Sequence, residues 1–101
     1  LIVRYCASCV ATHQTMVYKR LTDISSFVPY EYFLVTWSST DNDLNTDFEL
    51  YSSVSDATAG INRWTFCNYD DPGIGLPRDC GPTGPVGDQW NSLTRGGQAD
   101  I

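Results

Sequence analysis

Cys6-Ala7-Ser8-Cys9 is a tight C-x-x-C pair, and Cys67 and Cys80 bracket twelve residues rich in Gly, Pro and Asp. Four cysteines allow three connectivities. Joining Cys67 to Cys80 closes a turn-rich loop, worth roughly 3 kcal/mol by chain entropy, and leaves Cys6 with Cys9. The crossed pairings, which would tie the N-terminus to the later loop, stay open. A zinc ribbon needs two C-x-x-C knuckles, and the chain has one. A thioredoxin-like motif needs an α/β context, which the residue pattern does not supply.

Oxygen-bearing side chains recur along Asp41-Asn42-Asp43-Leu44-Asn45-Thr46-Asp47. Calcium is the cofactor such a loop would take, because hard cations bind six to eight oxygens. Asp41, Asp43, Asn45 and Asp47 are the candidate ligands. The calcium-loop pattern fails at two places: Thr46 stands where Gly is needed and Ser52 where a bidentate Glu belongs. The plainer reading is a polar turn in which Asp and Asn bond to the backbone. Asp70 and Asp71 form a second acidic turn, followed by Arg78-Asp79. Arg78 is placed to pair with either Asp across the loop; otherwise the acids would meet a cation or sugar hydroxyls.

Catalytic groups are scarce. His13 is the single histidine, no Gly-x-Ser-x-Gly elbow occurs, and Cys9 near His13 does not make a dyad. Glu31 and Glu49 are the two glutamates. On facing strands they would form a glycosidase pair only within one cleft. Neither sits in a motif, so no enzyme is expected.

The elements that must position these residues read as strands. Leu1–Cys6 is an apolar, β-branched start, and Gln14–Leu21 alternates. Glu31–Trp37 is the strongest strand signal, its apolar run suggesting burial on both faces. Pro29 is taken to break any helix before it. Phe48–Ser52 and Ile61–Cys67 alternate, Gln89–Leu93 is strand-like, Gly96-Gly97 turns, and Gln98 opens another strand. Ser55–Gly60 is one helical turn, capped by Ser55 and stopped by Gly60. Asn68–Gly87 is a long loop with five of the eight Gly and four of the five Pro. The pattern predicts a single all-β domain over 1–101, a β-sandwich or jelly roll of six or seven short strands with a disulfide-clamped loop. The aromatics are expected in its core, with Trp90 the candidate to face a ligand.

The composition narrows the partners. Six basic residues against twelve acidic give a net charge of −6. Phosphate binding needs clustered Lys and Arg, so nucleic acid is excluded as a partner. No apolar run is long enough to span a bilayer. Ser and Thr total 19, Lys occurs once, and an even cysteine count accompanies an acidic pI near 4.3. That balance favours an oxidising, extracellular setting. A start at Leu1 and a strand-like end at Ile101 point to a longer parent.

Trp64-Thr65-Phe66-Cys67-Asn68-Tyr69-Asp70-Asp71-Pro72-Gly73, then Leu76-Pro77-Arg78-Asp79-Cys80-Gly81 and Gln89-Trp90-Asn91-Ser92, carry a family likeness. Over Arg63–Gly97 the chain resembles cysteine-clamped extracellular β modules in large surface or filament-type proteins of algae and other protists. The resemblance implies a structural or adhesive part and carries over no catalytic residue. Two expectations follow. One is a subunit of an extracellular filament, surface hair or coat, polymerising with copies of itself through Leu1, Ile2, Val3, Arg4 and Tyr5 at a sheet edge. The alternative is an adhesion module for glycans, with or without calcium, using Trp90 and the acidic loops.

Overall fold

The computed structural model describes residues 1–23, 26–68, 75–93, 96–98 and 100–101. The elements in order are β1 (Ile2–Tyr5), a 3-10 turn (Ala11–His13), β2 (Thr15–Arg20), α1 (Pro29–Leu34), β3 (Phe48–Tyr51) and α2 (Val54–Ala59). The strands form one antiparallel sheet in the order β1-β2-β3. Val3 faces Val17 across β1 and β2, and Val17 faces Tyr51 across β2 and β3. The disulfides join Cys6 to Cys9 and Cys67 to Cys80.

The expected sandwich of six or seven strands is wrong: the described residues hold three strands in one open sheet, with two short helices. The largest error is at Glu31–Trp37, where α1 replaces a strand. Pro29 begins this helix instead of preventing it. At the first helical position its missing N–H has no intrahelical acceptor to lose, and its φ already suits the helix. The Tyr32 N–H then donates to the Val28 carbonyl and that of Val35 to Glu31, both at 2.9 Å. Tyr32 and Phe33 turn inward to the core, while Tyr30 and Glu31 face solvent. The apolar run therefore belongs to one helical face.

Ile61–Cys67 and Gln89–Leu93 contribute isolated bridges, Phe66 to Gly81 and Asn91 to Gly97. Left-handed backbone at Asn62, Asp88 and Gly97 bends the chain out of extended pairing there. Past Gln98, the Ile101 N–H returns to the Gln98 carbonyl at 3.1 Å as a turn. The helix near residue 55 is α2, but Ser53 caps it, accepting from the Asp56 N–H at 3.1 Å. Gly60 ends it in the left-handed region at φ 69°.

Alternation along the strands divides the sheet into two faces. Met16, Tyr18, Phe48 and Leu50 pack with Trp37, Trp64, Leu76 and Cys80 on one. Rings meet there at 4.9–5.6 Å: Tyr18 with Phe33, Tyr18 with Phe48, and Trp37 with Phe48. The other face packs Val17 and Tyr51 against Ala57 of α2, with Val3 alongside. No helix among the described residues is long and apolar enough to cross a membrane.

Candidate assembly surface at the edge of the sheet

β1 is a sheet edge, and its pairing shows which backbone groups are turned outward. The Cys6 N–H donates to the Gln14 carbonyl at 2.8 Å, directly after the Tyr5–Thr15 pair. Antiparallel pairs alternate between bonded and non-bonded. Arg4 and Ile2 therefore exchange bonds with Met16 and Tyr18, while the N–H and C=O groups of Val3 and Tyr5 face away from β2. Among the described residues those outward groups have no partner. Leu1 is 63% and Tyr5 76% exposed beside them. Lys19, the one lysine, lies on the central strand and does not guard this edge.

The opposite edge is covered by the chain itself. The Asn45 N–H donates to the Phe48 carbonyl at 2.7 Å, and the Trp64 N–H to the Leu50 carbonyl at 2.8 Å. Among the described residues, the β1 side of the sheet is thus the one left unpaired.

Arg4 supports β1 from within. Its Nη1 donates to the Gln89 carbonyl at 2.6 Å and its Nη2 to the His13 carbonyl at 3.2 Å. Its Nε is buried without a partner. Burial pushes the guanidinium below its ordinary value. Beside it, between β1 and α1, lies a mostly apolar cavity of about 220 Å³ walled by Ile2, Met16, Tyr18, Tyr30 and Phe33. His13 completes this framework. It is fully buried, its Nε2 lies 2.8 Å from the Cys80 carbonyl, and its ring centroid is 4.5 Å from that of Trp64. Burial first, and the Arg4 charge second, lower its pKa against the raising effect of the Cys80 carbonyl.

The other residues singled out by sequence fall in separate places. Asp47 bonds within its own turn: its carboxylate accepts from the Asp43 N–H and the Thr22 hydroxyl, each at 2.9 Å. Those two bonds hold it below the usual carboxylate range. Asp41 offers its carbonyl to Arg20 Nη2 at 2.8 Å, and Asn45 Nδ2 donates to the Trp64 carbonyl at 3.1 Å. Among the described residues no three His, Cys, Asp or Glu side chains are grouped to hold a metal. Asp70 and Asp71 lie outside the described residues, and with them any pairing to Arg78. Trp90 is half-buried, packed on the aromatic core and close over Gly75.

Glu31 is exposed on α1, which packs on the aromatic face. Glu49 is buried on the other face, where Tyr51 donates to it at 3.0 Å and Arg63 at 3.2 Å. The sheet lies between the two glutamates. Of the five residues expected to pair with a neighbour, Ile2, Val3 and Arg4 direct their side chains to the chain's own interior, so only backbone groups of Val3 and Tyr5 are offered outward. Gln89, which receives Arg4, was not singled out, and a backbone acceptor leaves no mark in residue type. Comparison with protein-family models, curated proteins and solved structures found no match.

Proposed function

We propose that the chain is a structural subunit of an extracellular filament, surface hair or coat, joined to its neighbours by strand pairing at β1. The observation that carries this reading is the outer edge of β1, with its unpaired Val3 and Tyr5 backbone groups, its one charged side chain, Arg4, turned inward, and no lysine on the strand. Buried strand pairing satisfies such groups. The two disulfides fit a protein of an oxidising compartment. One open edge sets a limit. Copies that pair edge to edge about a two-fold axis close as dimers. A filament therefore needs a second contact, for which exposed Val28, just before α1, and Tyr30 within it are available.

Removing Leu1–Tyr5 would take a strand out of the sheet, so a point change is the better probe. Tyr5→Pro deletes one outward N–H and leaves the β1–β2 ladder intact, as edge positions tolerate proline. Light scattering and electron microscopy are expected to show assemblies for the unmutated protein and monomers for the variant, with matching far-ultraviolet circular dichroism. Assembly that survives the change refutes the edge. Unmutated protein that stays monomeric, and releases heat on titration with glycans and calcium, would instead favour the adhesion module.

A further inference from the structure

We infer that Cys6–Cys9 is a redox-reactive disulfide, opened by a small thiol that attacks Cys6 while Cys9 leaves as a thiolate held by Arg4. The starting point is the Arg4 guanidinium. It is half-buried, and no carboxylate among the described residues lies within ion-pair distance of it. A buried cation without an anion is costly. Arg4 Nη2 lies 3.8 Å from Cys9 Sγ. A thiolate at Cys9 would supply the missing charge, so the protein favours the reduced form of this sulfur. The Gln89 carbonyl, 3.9 Å from the same atom, would accept from a protonated thiol. Both neighbours suit a reduced Cys9 better than a disulfide sulfur, and a cation beside a cysteine lowers its thiol pKa.

The two sulfurs are not equivalent. Cys6 Sγ is met by the Ser8 hydroxyl at 3.7 Å. Cys6 also lines a second cavity of about 460 Å³, with Tyr5, Ala7 and Ser8, whereas Cys9 does not. Both cysteines are buried, Cys6 at 8% and Cys9 at 5% exposed, and the cavity gives an incoming thiol its approach on the Cys6 side. The better leaving sulfur is the one whose thiolate is stabilised, and Cys9 is the sulfur with the Arg4 guanidinium beside it.

The step balances. A thiolate RS⁻ forms an S–S bond to Cys6 as the Cys6–Cys9 bond breaks, and the bonding pair leaves on Cys9 beside Arg4. A second RS⁻ attacks the thiol's own sulfur in that mixed disulfide, freeing Cys6 and giving RSSR. The protein disulfide gains two electrons and the two thiols lose them. The Cys6 N–H bond to Gln14 does not involve the sulfur, so the end of β1 keeps its pairing. Cys67–Cys80 differs in its surroundings: Cys80 is 1% exposed within the aromatic core, and Cys67, partly buried, packs against that core.

The experiment incubates the full chain in buffers of graded reduced-to-oxidised glutathione ratio, quenches with an alkylating agent, and maps every cysteine by mass spectrometry. Cys6–Cys9 is expected to open at a glutathione ratio at least tenfold milder than Cys67–Cys80, with the trapped adduct on Cys6. Arg4→Met is expected to lower the dithiol-to-disulfide ratio at Cys6–Cys9 about tenfold, near 30 mV, and Arg4→Lys to restore part of it. Adduct position in the unmutated protein keeps the test independent of how the variants fold. Opening of both disulfides together, an adduct on Cys9, or an unchanged equilibrium in a folded Arg4→Met variant would each overturn the inference.

Discussion

The two faces of the sheet are held by different physics. On one, Tyr18, Phe48, Trp37 and Trp64 are almost fully buried in one apolar cluster, with Tyr18 stacked on Phe48, Trp37 edge-on to Phe48 and Trp64 against His13. On the other, Val17, Tyr51 and Ala57 make a thin apolar layer beside a buried carboxylate, Glu49, with Arg63 and Lys19 around it. Apolar burial is non-directional and roughly proportional to area, and ring pairs in favourable geometry add to it. An ion pair whose cations are 54% and 40% exposed is screened and contributes little. A small domain with one sheet can thus place nearly all its stability on one side and leave the other open to charge.

That asymmetry sets the size of what mutation should do. Trp64→Ala removes a fully buried side chain from the aromatic face and is expected to cost about 3–5 kcal/mol, read as a collapse of the urea midpoint. A loss no greater than that of a surface change would break the contrast between the faces. His13, under Trp64, adds a pH dependence to the same side. Its folded pKa lies below the unfolded value of about 6.5. The unfolded chain then binds more protons in the window between the two values. Stability is complete above about pH 6.5 and falls as pH drops through the folded value. Urea midpoints between about pH 7.5 and about pH 5.5 should decline for the unmutated protein and decline less for His13→Asn. Equal slopes would remove His13 as the cause. The smallest effect belongs to the charged face. Arg63→Gln is expected to cost no more than about 1 kcal/mol, and that cost should shrink in high salt. A loss matching Trp64→Ala would mean that Glu49 is a second core and not a rim.

Where local pattern and tertiary packing agree, the chain is legible. Alternation across Thr15–Arg20 and Phe48–Tyr51 survives as β2 and β3, since one face of each is truly apolar. The Ser and Gly around Val54–Ala59 mark a helix whose capping chemistry is local. At Pro29–Leu34 the same reasoning fails. Apolar runs of five or six residues fit a buried strand or one helical face equally, and Pro29 tips the choice through a backbone effect that resembles a breaker. Among the described residues from 61 onward, single bridges replace strands, and bonds between residues far apart in sequence, such as Arg4 to Gln89 and His13 to Cys80, hold the chain. The candidate edge was legible as β-branched sequence at the N-terminus. Its one-sided exposure depends on the Asn45 and Trp64 backbone bonds, which no residue type announces.

The bond from Arg4 to the Gln89 carbonyl spans 85 positions, and that from His13 to Cys80 spans 67. Loop closure across such separations slows folding. During synthesis the first strand cannot settle its buried cation until residue 89 has emerged. The β1 edge therefore lacks its internal anchor through most of translation, the stage at which unpaired edges are most prone to aggregate.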